Sequence, residues 1–371
     1  MEIFQPQNLI EQRICNRADM NQIPISGCFE LLPLCNMDCK MCFAKMTRKQ
    51  MEQHAPMREY HEWLELARQA RDEGMMFLLL TGGEVFLYPH FRELYLGLKK
   101  MGIVVTINSN GTLINEEIAD LLASDPPRRM NITLYGSSDD VYARLCGNPH
   151  GFSQVTRGIE LLLERGIQVK INCSVTPYNV DDLDNIFSVA RKYRLPIEAA
   201  YYMIPAVRKE NAENTQFRLT PQKAAEARLH IRELLYPPEL FREYVMELLE
   251  KYRGDVQNQA WKPGFTCRAG NSVFWVNYDG MMSACSFTRE PILFDIFQMP
   301  FKEAWAHLIE NVQTLHLAKK CHDCRMRVLC TRCAAAAYGE TGDYEGVPEY
   351  HCELTRHFIE LLEEKAKEYE K

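Results

Sequence analysis

The 371-residue chain lacks any apolar run approaching the roughly 20 residues that a membrane-spanning helix needs. No membrane anchor or membrane partner is expected. It also lacks the start of a secreted protein, since its first twenty residues are polar and broken by charges. An excess of basic residues is missing too: 43 Lys and Arg stand interspersed with 50 Asp and Glu, for a formal net charge of −7. That balance argues against a nucleic-acid partner. Cysteine, by contrast, is abundant, with 14 residues gathered at short spacings. Without a secretory signal, such clusters are expected to bind metal in a cytoplasmic protein rather than to pair as disulfides. The length leaves room for a large core and a second domain.

Cys35, Cys39 and Cys42 lie in the run Cys-Asn-Met-Asp-Cys-Lys-Met-Cys-Phe, and the next cysteine is Cys146. Three thiolates hold three irons of a four-iron cluster and leave the fourth open, whereas a closed electron carrier takes four. A zinc loop with a distant fourth ligand uses the same residue types. Downstream, Met76 to Leu80 reads as an apolar strand running directly into Thr81-Gly82-Gly83-Glu84. Glycines at a strand end let a backbone approach a ligand closely, and the adjacent carboxylate can receive an ammonium. An ordinary turn accounts for the two glycines alone, but not for their place one βα unit after the cysteine loop. Together the CxxxCxxC loop and the Gly-Gly-Glu segment resemble the radical S-adenosylmethionine (SAM) enzymes. The resemblance implies that SAM chelates the open iron of a [4Fe–4S] cluster through its amino and carboxylate groups. Gly82, Gly83 and Glu84 would bind the amino group. Reductive cleavage would then give a 5′-deoxyadenosyl radical, which removes a hydrogen atom from an unactivated C–H bond. The proline usual after the glutamate is Val85 here.

From Cys28 to about Pro205 the chain alternates strand-like and helix-like runs, with strands expected at 28–34, 75–80, 103–108, 130–135, 167–175 and 197–203. Six βα units imply a parallel sheet with right-handed crossovers, curled into a partial (β/α)6 TIM-type barrel in an α/β fold. Ligands bind such sheets at the carboxyl ends of the strands, where both motifs fall. Asn108 to Thr112 follows the third strand; it reads either as a capped turn or, by resemblance, as the segment placing Ser109 and Asn110 near the ribose and methionine of SAM. The resemblance likewise assigns Arg144 to the SAM carboxylate, which suits a planar guanidinium, although a solvated helix-surface arginine fits the same position. Ser174, beside the buried-type thiol Cys173, is a further ribose contact by resemblance.

Beyond a helical connector around residues 218–254 the cysteines return: Cys267, Cys285, then Cys321, Cys324, Cys330, Cys333 and Cys352. Two Cys-x2-Cys pairs alone suit a zinc ribbon, which leaves Cys267, Cys285 and Cys352 unused. The whole series, with the helix start Phe301-Lys302-Glu303-Ala304-Trp305, is similar to the SPASM domain, a small cysteine-rich α+β extension of radical SAM enzymes. By that resemblance Cys321, Cys324, Cys330 and Cys352 hold one auxiliary iron–sulfur cluster, and Cys267, Cys285 and Cys333 hold another. Val273 stands where sulfatase-maturing relatives have a fourth cysteine. Ser286 stands where they have an acidic residue, which counts against that activity. The expected division is an extension at 1–27, the barrel at 28–215, the connector at 216–262, the auxiliary-cluster domain at 263–355 and a terminal helix at 356–371.

The resemblance points first to a ribosomally made peptide as substrate, for crosslinking, oxidation or epimerisation. Second comes a small molecule of a cofactor pathway, and third a non-catalytic zinc or iron–sulfur protein. About thirty residues precede Cys35, too few for a winged-helix leader-binding domain, so a separate leader-binding protein or a short substrate is expected. An external donor such as flavodoxin or ferredoxin would supply electrons. Tyr135, Tyr201, Tyr202, Phe274 and Trp275 are candidate cavity residues.

Overall fold

The computed structural model describes residues 9–254, 264–289 and 293–369, with side chains for all of these except residues 209–212. The ends of the expected terminal segments and the connector boundary at 262 lie outside the described residues. Six parallel strands appear in the expected order: β1 Ser26–Glu30, β2 Phe77–Thr81, β3 Val104–Ser109, β4 Arg129–Thr133, β5 Val169–Ser174 and β6 Ile197–Ala200. Five of them are shorter than the expected runs, and β3 has the expected length shifted by one residue. Amphipathic helices cover the outer face. Helix Tyr60–Asp72 buries Trp63, Leu66, Ala67 and Ala70, and helix Phe91–Lys100 buries Phe91, Leu94, Tyr95 and Leu98.

Strand alternation sorts the side chains. Phe29, Leu78, Leu80, Val105, Ile107, Met130 and Ile132 turn outward into the main core. The alternate positions, among them Cys28, Glu30, Thr106, Asn108, Asn131 and Lys170, then face inward. The inner face is therefore polar, and Asn108, Asn131 and Arg129 form a hydrogen-bonded ladder across it.

One feature was not anticipated. β7 (Val273–Val276) joins β1 in parallel, and β8 (Met281–Ser283) and β9 (Leu293–Asp295) continue antiparallel, so a single nine-stranded sheet runs in the order β6-β5-β4-β3-β2-β1-β7-β8-β9. The cysteine-rich part thus extends the barrel sheet instead of packing beside it. Connector helices Pro221–Leu235 and Pro238–Arg253 pack on helix Glu349–Tyr369 through Ala225, Phe241, Val245, Phe358 and Leu362. That last helix begins before the expected boundary at 355 and contains Cys352.

Candidate active site

The segment after β1 stays extended beside the end of β2. Leu31 N–H donates to the Thr81 carbonyl at 2.9 Å, Gly83 N–H to Leu32 at 2.7 Å, and Glu84 N–H to Leu34 at 2.8 Å. Only glycine fits this approach, because a Cβ on Gly82 would lie 2.5 Å from the Leu32 oxygen and one on Gly83 would lie 2.2 Å from the Leu34 oxygen. The cysteine loop is thereby held directly above Glu84.

Glu84 is fully buried. Its Oε1 accepts from Ser109 Oγ at 2.8 Å and from Phe86 N–H at 3.2 Å, and its Oε2 accepts from Asn110 N–H at 2.8 Å. Burial outweighs these donors and pushes the carboxyl up to about 7. Among the described residues it has no cationic partner, which is the environment an ammonium ligand would complete. Asn110 links this carboxylate to the cysteine loop: its Nδ2 donates to Asn36 Oδ1 at 2.9 Å and to Cys35 Sγ at 3.6 Å.

Cys35, Cys39 and Cys42 come together in the loop. Burial pushes the Cys35 thiol up to about 12, with added repulsion from Glu84, Cys39 and Cys42. Cys39 is raised first by its hydrogen bond with Cys146 and then by burial. Backbone amides point at the sulfurs, Met37 N–H at Cys35 (3.4 Å) and Ala44 and Lys45 N–H at Cys42 (3.4 and 3.2 Å). Partly buried thiols facing amide donors suit a metal cluster, which deprotonates them and whose sulfur ligands take such hydrogen bonds. The donor set therefore fits a [4Fe–4S] cluster. Among the described residues no three His, Cys, Asp or Glu side chains converge closely enough to enclose one metal ion; a four-iron cluster spreads its thiolates over separate irons.

Two expected contacts are placed differently from each other. Ser174 ends β5 at the same rim, its carbonyl accepting from Asn179 Nδ2 at 3.0 Å. Arg144 lies exposed on helix Asp139–Cys146, whose end accepts from the Asp38 and Lys40 N–H groups of the cysteine loop, and it is paired with Asp140 one turn earlier at 3.0 Å. The carboxylate of a ligand would have to displace that partner.

The remaining cysteines fall into two groups. Cys285 and Cys333 each repel Cys267 and are raised chiefly by burial, Cys285 to about 12. Cys352, raised to about 11, and Cys321 are both coupled to Cys324 and Cys330. Helix Glu349–Tyr369 carries Cys352 to its group, and Arg228 ties the neighbouring helix to the Leu329 carbonyl at 3.0 Å.

Sequence reasoning missed three features. Buried Glu30 pairs with Arg208, whose guanidinium also donates to the Ala44 carbonyl at 2.8 Å; a charge inside an apolar strand was the available signal. Tyr202 donates to Glu340 at 2.8 Å, and Arg218 clamps the same carboxylate. A cavity of about 980 Å³ opens between β4–β6, helices Leu9–Met20 and Pro221–Leu235, and the loops of Cys267 and Cys330. Tyr201 and Tyr202 line it as anticipated, whereas Phe274 is core, packed on Phe301 and Trp305. Its lining holds five cations and two carboxylates. Glu11 is paired with Arg128 at 2.5 Å and Glu198 with Lys170, so cations outnumber carboxylates in the lining.

A sequence model of the radical SAM superfamily matches residues 29–190. The chain is 23% identical to an AdoMet-dependent heme synthase of Methanosarcina barkeri over 345 residues, covering 88% of this chain and 95% of that one. It is 27% identical to the antilisterial bacteriocin subtilosin biosynthesis protein AlbA of Bacillus subtilis over 196 residues, covering 52% of this chain and 42% of that one. Its fold resembles Streptococcus suis SuiB bound to precursor peptide SuiA, with a TM-score of 0.67 at 15% identity over 94% of this chain and 84% of SuiB. No helix among the described residues is long and apolar enough to cross a membrane.

Proposed function

We propose that this radical SAM enzyme, peptide-maturase-like in architecture, acts on a small carboxylate-bearing molecule of a cofactor pathway, with a porphyrin the leading class. The observation that carries this reading is the cation-rich cavity. Its volume suits a ligand at the large end of the roughly 300–1,000 Å³ range, and its surplus arginines suit carboxylates, which they bind in a planar, bidentate manner. The correspondence to a heme synthase over nearly both full lengths supports the same class. The match to AlbA, over about half of this chain, favours the peptide reading instead, which stands second.

A bound [4Fe–4S] cluster and SAM would supply the hydrogen-abstracting radical, with electrons from an external donor such as flavodoxin or ferredoxin. The chain's residues bind and orient. Cys35, Cys39 and Cys42 hold the cluster, Glu84 receives the SAM ammonium, and Ser109, Asn110 and Ser174 border the nucleoside. Arg129, Arg232 and Arg268 line the cavity and hold substrate carboxylates. Glu30 and Arg208 tie β1 to the end of the cysteine loop. The two carboxy-terminal cysteine groups would hold auxiliary iron–sulfur clusters, which would supply sites for electron transfer.

Titration of anaerobically reconstituted enzyme with an iron porphyrin bearing propionate side chains, followed by the porphyrin's visible absorption, should show saturable binding and faster 5′-deoxyadenosine formation. Stimulation by peptide in place of porphyrin would move the assignment to the second reading. No deoxyadenosine under strong reduction would remove both.

A further inference from the structure

Cys267, Cys285 and Cys333 offer three thiolates where a closed four-iron cluster takes four, and Val273 occupies the position where a fourth was expected. The continuous sheet brings another thiol toward Cys285, one member of this group. β7 lies between β1 and β8, with Cys28 opposite Trp275 and Trp275 opposite Ser283. Phe29 and Phe274 turn to the helix side, where their rings meet at 6.5 Å, so Cys28, Trp275 and Ser283 share the inner face. Cys285 follows two residues after Ser283, just beyond the end of β8.

Cys28 is 5% exposed and makes no disulfide, and among the described residues its thiol has no hydrogen-bond partner. Burial pushes that thiol well above its ordinary value, and Glu30 and Cys285 add like-charge repulsion. The Cys28 and Cys285 sulfurs are therefore within electrostatic reach of each other. Ser286 and Tyr344 also approach Cys285, but they offer hard oxygen donors, and iron–sulfur clusters select soft thiolates.

We propose that Cys28, on the first strand of the radical SAM barrel, is the fourth thiolate of the cluster held by Cys267, Cys285 and Cys333. The inference rests on the auxiliary-cluster reading above and deepens it. A cluster closed in this way has no iron free for substrate, so it relays electrons instead of anchoring the substrate. It also crosslinks β1 to the segment after β8, joining the two parts of the chain through iron as well as through the sheet.

The test uses the full chain with Cys35, Cys39 and Cys42 replaced by alanine, so that only carboxy-terminal clusters remain. After anaerobic reconstitution and reduction, its electron paramagnetic resonance spectrum should not respond to cyanide, a ligand for irons lacking a thiolate. Adding Cys28→Ala should change the line shape and make it cyanide-sensitive, and adding Val273→Cys to that variant should abolish the sensitivity. Cys28→Ser, closer in size to the native side chain, provides the same comparison if the alanine variant does not fold. Spectra of the Cys28 variants identical to the parent, with and without cyanide, overturn the inference while leaving the auxiliary clusters in place. A parent variant that holds no iron overturns the auxiliary-cluster reading and this inference with it, and metal analysis separates the two failures.

Discussion

Glu84 is a buried carboxylate that the protein hydrogen-bonds but, among its described residues, does not neutralise. Its folded-state value is raised from 4.5 to about 7, so the stability it contributes is full below about pH 4.5 and is lost as pH rises through 7. Ligand-free protein should therefore lose some thermal stability across that window, as read by its Tm. SAM binding should strengthen over the same range, because a proton on Glu84 competes with the ammonium. Glu84→Gln should flatten both profiles and weaken SAM binding by about 1.5–3 kcal/mol, the worth of a charge-assisted hydrogen bond; a pH-independent wild-type affinity between pH 5.5 and 8 would contradict the assignment. This residue was legible in sequence because glycines that admit a backbone carbonyl at close range leave few readings for the carboxylate beside them. Arg144 has an equally local partner. Asp140 lies four residues earlier on the same helix, the spacing at which opposite charges meet, and that pair keeps the guanidinium on the surface.

Among the elements, the six strands and the crossover helices follow from apolar periodicity, since each is decided by its own neighbours. The apolar run Val273-Phe274-Trp275-Val276 is strand-like too, yet nothing local says that its partner is β1, whose paired residues lie 247 positions earlier (Ser26 opposite Val273). The last helix shows the same limit. Its role is to press Cys352 toward Cys321, Cys324 and Cys330, and it does so through packing with helices Pro221–Leu235 and Pro238–Arg253, far earlier in the chain. Phe358 is the centre of that contact, fully buried, with the Arg228 guanidinium 3.8 Å from its ring. Phe358→Ala should cost about 3–5 kcal/mol by opening a cavity there, and should lower iron content by about four per chain while leaving SAM cleavage. Full iron retention in that variant would show that Cys352 is held without the helix.

At the scale of the whole molecule, charge is segregated. The chain is acidic overall at −7, yet the cavity at the junction of barrel and extension carries a surplus of arginine. Its walls come from residue 11 to residue 331, so no window of sequence contains it, and a composition that argues against polyanion binding hides a cavity whose lining is rich in cations. The field is confined: an acidic exterior repels anionic ligands at long range, and attraction operates only inside about one screening length, roughly 8 Å at physiological salt. Binding of a carboxylate-bearing porphyrin should therefore weaken with salt only to the extent that the cavity is wet. Replacing Arg129, Arg232 and Arg268 singly by glutamine should weaken it about tenfold or more at each residue that meets a carboxylate, and together they should remove most of the salt dependence. SAM binding should be unchanged in all three, because Glu84 and the cysteine loop lie at the opposite ends of the strands from Arg129. Porphyrin affinity indifferent both to salt and to the triple replacement would mean that the cavity recognises an apolar ring or another ligand, and the assignment to a carboxylate-bearing substrate would fall while the radical chemistry stood.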